Sequence, residues 1–166
     1  MSKCIFLDRD GVINKDSGYV YKWDDFKFLP GVIEALKDLT YHEISIVIVT
    51  NQSGIARGFY TEQDVCKIHQ FMQDELQQHG AKIDDFRYCP HHSEAVIDEY
   101  RIACQWRKPA PGMLLDLIAN WPIDLSRSVL VGDKETDLEA ARQAGIKGLL
   151  FEDDNLHHFL KTAAYL

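Results

Sequence analysis

The chain lacks a long apolar run, is poor in basic residues and carries only four cysteines in 166 residues. Each shortage removes a class of function. No stretch approaches the roughly 20 consecutive apolar residues of a membrane-spanning helix. The N-terminus has no basic segment followed by an apolar one, so no export signal is expected. Lysine and arginine number 18 against 26 acids, giving a net charge of −8. A phosphate-backbone binder needs a basic stripe, so nucleic acid is not an expected partner. Cys4, Cys66, Cys89 and Cys104 are even in number. A chain of this size needs no disulfide framework, so free thiols or a metal fit them better. No G-x-x-x-x-G-K-[ST] loop is present, which disfavours a nucleotide-binding kinase. Repeats, low-complexity tracts and linkers are also missing. The expectation is one domain over residues 1–166, soluble, cytoplasmic and monomeric.

What is present alternates. Residues 4–8, 44–50, 85–89, 128–133 and 147–151 read as short buried strands. "ISIVIVT" (44–50) is dense in β-branched residues and stops abruptly at Thr50 and Asn51. Between the strands lie helical patterns at 30–40, 61–80, 111–121 and 134–145, with a closing helix in the last dozen residues. "PGVIEALKDLT" puts Val32, Leu36 and Leu39 on one face. The long segment opens on Thr61 with Asp64 three residues later, a capping-box spacing, and ends at Gly80. Residues 90–110 show no period. Such alternation predicts an α/β fold: a doubly wound parallel sheet covered by helices on both faces.

Sheets of this kind bind ligands at the carboxyl ends of their strands, near a topological switch point. Those ends are where the polar residues collect. The first strand ends in Asp8-Arg9-Asp10, the second in Thr50-Asn51-Gln52-Ser53, and the fourth in Gly132-Asp133-Lys134, with Asp137 one turn further on. Taken singly, each has an ordinary reading: a solvated turn, a loop, a helix cap, a surface lysine at 108. If strands one, two and four are neighbours, the groups converge. Carboxylates crowded at one point are tolerable around a hard cation, and Mg²⁺ takes oxygen ligands while keeping waters for a phosphate.

"DRDGVIN", "VTNQSG", "RKPAPG" and "GDKETD", in this order, resemble the haloacid dehalogenase superfamily of phosphatases. "SGYV", "TNQSGIARG", "CPHH" and "RKPAPGM" resemble its heptose bisphosphate phosphatase branch, to which histidinol-phosphate phosphatases are close. The likeness runs from residue 4 to about residue 150. It implies a phosphorylated sugar as substrate, most closely a heptose bisphosphate, and a place in heptose metabolism such as lipopolysaccharide supply. It implies Asp8 as nucleophile, forming an aspartyl phosphate, and Asp10 as general acid and then base. Mg²⁺ would be held by the Asp8 carboxylate, the Asp10 backbone carbonyl and Asp133. Thr50 and Lys108 would hold the transferring phosphoryl group, with Asp137 behind Lys108. Asp16, Ser17, Gly18 and Tyr19 would line the sugar. Asn51, Gln52 and Ser53 would touch phosphate or sugar hydroxyls. Arg107 would meet the second phosphate, with Lys134 adding charge and Arg57 a weaker candidate. Too few residues separate Asp10 from Pro30 for a cap domain, so the site is expected to be open.

Two alternatives stand beside this reading. One is a histidinol-phosphate phosphatase. The other is a phospho-accepting receiver-like module, which also uses Asp, Thr, Lys and Mg²⁺ but places its acceptor on a later strand. The 89–110 segment is an insertion similar to a zinc loop. Cys89, His91 and Cys104 match three positions of a Cys-x-His and Cys-x-Cys pattern, but Trp106 stands at the fourth. Structural Zn²⁺ is almost always four-coordinate, and an indole does not ligate it. The expectation is that Trp106 packs the loop without metal. A shell completed by His92, Glu94, Asp98 or water is the alternative.

Overall fold

A computed structural model describes all 166 residues. Five parallel strands form one sheet: β1 (Cys4–Leu7), β2 (Ser45–Asn51), β3 (Asp85–Cys89), β4 (Val129–Gly132) and β5 (Lys147–Leu150). Their order is β3-β2-β1-β4-β5, so β1 lies at the centre. The chain winds outward from β1 to β3, then returns to the other side of β1 with β4. That reversal opens a crevice at the carboxyl ends of β1, β2 and β4.

The helices are α1 (Val32–Tyr41), α2 (Glu62–Gln78), α3 (Gly112–Asn120), α4 (Glu135–Gln143) and α5 (Leu156–Thr162). Side chains alternate across a strand, and both faces of β1 are covered. Ile5 and Leu7 pack with Ile46, Ile48, Val129 and Val131 beneath α1, α2 and α5. Cys4 and Phe6 pack with Val47, Val49 and Leu130 on the opposite side, beneath α3 and α4. This is why "CIFL" is apolar throughout instead of alternating with polar residues.

Element ends follow local chemistry. At α2 the Asp64 backbone N–H donates to Thr61 Oγ1 at 3.2 Å, and the Thr61 N–H donates to the Asp64 carboxylate at 2.9 Å, the reciprocal cap that the spacing predicts. α1 begins two residues after Pro30, with Gly31 at a φ of 76°. A Cβ at Gly31 would collide with Asn155, which caps α5, so a side chain there would part the two helices. The connection from β1 to α1 holds only a short 3₁₀ turn at Trp23–Asp25, and that from β3 to α3 another at Asp98–Tyr100. Neither forms a cap domain. Trp23 stacks on Phe26 at 5.0 Å and on Phe71 of α2 at 5.8 Å, fastening the first connection to the body. No helix is long and apolar enough to cross a membrane.

Phe6 is wholly buried at the centre of the sheet. Phe6→Ala is expected to cost about 3–5 kcal/mol through lost burial and the cavity left behind. Urea unfolding would register this as a lower midpoint with an unchanged m-value.

Candidate active site

Lys108 is 4% exposed, and three groups surround its ammonium. Nζ lies 3.0 Å from Asp8 Oδ1, 2.6 Å from Asp137 Oδ1 and 2.8 Å from the Val49 carbonyl. That uses all three of its donors. Burial alone would push this lysine down, but Asp8 and Asp137 together hold it above its ordinary value. Asn51 fixes it from behind: Asn51 Oδ1 accepts from the Lys108 N–H and Nδ2 donates to the Lys108 carbonyl, each at 3.0 Å.

Asp8 follows β1 and extends the ladder, its N–H donating to Val131 O at 3.0 Å. Its Oδ1 also accepts from the Arg9 N–H at 2.9 Å. Burial pushes Asp8 up to about 7, against the pull of Lys108. Asp133, after β4, is raised by burial and by the nearby Asp137, with Lys134 opposing. Its Oδ1 is buried with no partner. The carboxylates of Asp8, Asp133 and Asp137 approach within 4.8 Å of one another. Gly11 has a φ of +87°, and a Cβ there would strike the Asp133 carboxylate. An all-oxygen cluster with an orphaned carboxylate oxygen, crowded against a glycine, fits a hard divalent cation.

Asp10 is held separately. Its Oδ1 accepts from Arg9 Nη2 at 2.9 Å and Asn14 Nδ2 at 3.0 Å, and its Oδ2 from Gln52 Nε2 at 3.0 Å. Arg9 is fully buried and donates also to the Val20 carbonyl at 2.6 Å, tying the 16–20 loop to the strand end. His69 faces this guanidinium. Burial, then the Arg9 charge, hold it down to about 3, so it stays neutral.

The cleft gathers most of the residues read from the sequence. Asp8, Asp10, Asp16, Gly18, Tyr19, Asn51, Gln52, Ser53, Arg107, Lys108, Lys134 and Asp137 line it. Thr50 lies beneath, 1% exposed. Ser17 does not join them. It lines a neighbouring depression with Lys15, Asp24 and Lys27. Asn51 and Gln52, expected to reach substrate, spend their amides on Lys108 and on Asp10 and Thr50. Sequence reasoning missed Tyr60 and Thr136 on the cleft wall and Arg9 and Asn14 behind Asp10. Arg9 left one signal: a cation between two acids at a strand end.

A second cluster lies at the end of β3. Donor atoms of Cys89, His91 and Cys104 approach within 4.8 Å of one another. His91 Nδ1 is buried without a partner. Trp106 packs beside Cys104 against the α3–α4 side of the core, and its N–H donates to Cys104 Sγ at 3.3 Å. A Cβ at Gly112 would press on Trp106, so the indole and the start of α3 are close-packed. Burial pushes the Cys89 thiol up to about 12, with Cys104 adding to the rise. Arg107 Nη1 and Arg57 Nε are likewise buried without partners.

The sheet order and the strand-end carboxylates agree with the haloacid dehalogenase superfamily that the sequence resembles. A HAD-hydrolase-like family model matches residues 105–158. The curated D-glycero-β-D-manno-heptose-1,7-bisphosphate 7-phosphatase of Rhodopseudomonas palustris is 49% identical over 156 residues, covering 94% of this chain and 87% of that protein. The enzyme of the same name from Escherichia coli K12 is 45% identical over 142 residues, covering 86% and 74%. The crystal structure of a D,D-heptose 1,7-bisphosphate phosphatase from B. bronchiseptica, complexed with magnesium and phosphate, superposes with a TM-score of 0.81 at 39% identity, covering 98% and 86%. The chain belongs to the heptose-1,7-bisphosphate 7-phosphatase family of that superfamily.

Lys108→Met would leave Asp8 and Asp137 facing each other in a dry site. The expected cost is about 3–5 kcal/mol of folding stability, since one partner of a buried ion group is removed. Chemical unfolding in a chelating buffer measures it. An unchanged midpoint would mean that the two carboxylates do not depend on the ammonium.

Proposed function

We propose that this chain is a Mg²⁺-dependent, cytoplasmic phosphatase that removes the 7-phosphate of D-glycero-D-manno-heptose 1,7-bisphosphate, leaving the 1-phosphate. The observation that carries the chemistry is the division of labour between two acids on one strand end. Asp8 is buried against Lys108 and Asp133, whereas Asp10 is held apart by Arg9, Asn14 and Gln52, its side chain 20% exposed to the cleft. The relatives' names and the magnesium and phosphate of the B. bronchiseptica structure support the substrate and the metal.

In this reading Asp8 attacks phosphorus, and the bond to the sugar oxygen breaks as Asp10 gives that oxygen its proton. The products of the first step are the free hydroxyl and a phosphoryl group on Asp8. Asp10, now a carboxylate, takes a proton from water. The water oxygen attacks phosphorus, releasing inorganic phosphate and restoring Asp8. Acid–base help of this kind is worth about 10²–10⁴-fold. Thr50 meets the phosphoryl oxygens, and Lys108, its donors spent on Asp8, Asp137 and the Val49 carbonyl, supplies positive charge beside them. Mg²⁺, on the carboxylates of Asp8 and Asp133 and the Asp10 backbone carbonyl, would neutralise charge on the transferring group. Arg107, with a guanidinium nitrogen still to be satisfied, takes the distal phosphate. Lys134 adds charge at the rim, 4.0 Å from Asp16. Asp16, Gly18, Tyr19 and Ser53 meet the sugar.

Turnover of heptose bisphosphate measured beside histidinol phosphate tests the substrate, and preference for the latter would replace the reading. A stable phosphoprotein that releases no phosphate would favour the receiver-like module. Asp8→Asn should abolish turnover with an unchanged circular dichroism spectrum. Arg107→Ala should weaken the preference for bisphosphates over small aryl phosphates, a loss read in kcat/KM.

For the second cluster, the converging donors and the orphaned His91 nitrogen fit zinc, with water as the fourth ligand and the Trp106 packing retained. Metal analysis of protein purified without added zinc or chelator is expected to give about one zinc per chain, lost in Cys89→Ser. A metal-free protein with an intact loop would leave Trp106 as the sole fastening.

A further inference from the structure

We infer that Tyr60, acting through the Gln52 side chain, is the positioning residue that sets the orientation of Asp10 for protonating the leaving group. This rests on the role proposed above for Asp10. Tyr60 is 6% exposed and stacks on Tyr21 at 5.0 Å. Its hydroxyl lies 2.6 Å from Gln52 Oε1. On the other side, Gln52 Nε2 lies 3.0 Å from Asp10 Oδ2 and 2.9 Å from Thr50 Oγ1. Gln52 is 2% exposed, so every polar atom of its amide is committed inside the protein.

The direction of these bonds is forced. As a carboxylate Asp10 Oδ2 only accepts, and as the acid its proton faces the leaving group while the oxygen still accepts from Gln52, so the amide face toward Asp10 is the NH₂. The amide oxygen then faces Tyr60 and needs a donor there. Burial raises Tyr60 far above its ordinary value, so the phenol keeps its proton and remains that donor. Turning the amide over would set its oxygen against the Asp10 carboxylate and the Thr50 hydroxyl oxygen. Tyr60 thus locks the polarity of an amide whose two ends are nearly equal in shape.

The Asp10 carboxyl is arranged as a result. Asp10 Oδ2 is pulled from the side opposite Arg9 and Asn14, which both hold Oδ1. The carboxyl plane is fixed by bonds at both oxygens, and the residual freedom is lost before substrate arrives. Thr50 Oγ1, which accepts from Gln52 at 2.9 Å, donates its own hydrogen to the Asn51 carbonyl at 3.4 Å. Gly54 makes room for the arrangement, because a Cβ there would overlap the Tyr60 ring. Tyr60 directly precedes the Thr61 cap of α2, so the helix start holds the phenol in place.

A positioning role for proton delivery predicts a dependence on the leaving group. Tyr60→Phe keeps the ring stack and removes one hydroxyl. With a poor leaving group such as an alkyl or sugar phosphate, kcat is expected to fall about tenfold, the scale of one lost hydrogen bond. With p-nitrophenyl phosphate, whose leaving oxygen needs little protonation, the fall should be under about twofold. KM should change little in either case. Gln52→Ala should behave likewise with a larger loss, and adding Tyr60→Phe to it should cost nothing more. A series of alkyl and substituted aryl phosphates measures this independently of heptose, so a wrong substrate assignment would not disturb it. Equal losses across the series, or additive losses in the double variant, would overturn the inference. So would a wild-type rate in Tyr60→Phe on the alkyl phosphates.

Discussion

One ammonium joins the parts of this molecule that the chain keeps far apart. Lys108 reaches Asp8 after β1, Asp137 on α4 and the Val49 carbonyl on β2 from a loop that precedes α3. Two carboxylates buried at the foot of the crevice repel each other, and that is where the topology of the sheet requires them to meet. A single cation between them turns a point of repulsion into a point of attachment. Asn51 sets the backbone that carries it. The rest of the cleft follows from this fixed centre: Asp133 can lie alongside, short of a partner, because the neighbouring charge is already partly balanced.

Around that centre the molecule separates two kinds of acid. One is buried, raised and crowded with like charges, the other is held at both oxygens by neutral amides and an arginine. They are two residues apart, a spacing that a continuing strand would put on one face, but β1 ends at Leu7 and the chain turns at Gly11, so their side chains meet different surroundings. The difference in surroundings suits the different tasks proposed for them. The arginine between them is the device that makes the spacing possible. Buried without a free surface, it neutralises Asp10 and grips the Val20 carbonyl, so the loop that closes one wall of the cleft is anchored to the same strand.

The sheet was legible because β1, β2 and β4 are apolar on both faces and the helices carry a 3.6-residue stripe; these patterns follow from burial alone. Strand ends then located Asp8, Asp10, Thr50 and Asp133, since a doubly wound sheet offers one crevice. What pattern does not reveal is where a polar side chain in a loop points. Asn51 and Gln52 sit beside the cleft in sequence and in space, yet their amides turn inward because Lys108 and Asp10 need partners that only the folded loop brings near. Ser17 fell outside for a similar reason: the turn at Gly18 and Tyr19, both with positive φ, carries it to the far side of the loop. Tyr60 gave no sign at all. An aromatic residue among loop residues reads as packing, and its hydroxyl acquires meaning only once Gln52 is seen beneath it. At residues 89–106 the donor atoms of Cys89, His91 and Cys104 lie close together with Trp106 packed beside them, and on that geometry the expectation of a metal-free loop is replaced by the zinc proposal.

The short connections that replace a cap leave the crevice open to bulk water. In such a site the ligand itself must serve as the stopper. A molecule large enough to fill the cleft from Asp8 out to Tyr19 and Lys134 would cover the reacting phosphate and expel solvent from it, whereas a small phosphate would leave the same groups wet and their fields weakened. Discrimination by size would then arise from drying and not from shape alone. Departure would be equally direct: with no lid to lift, the product leaves as soon as its own contacts let go.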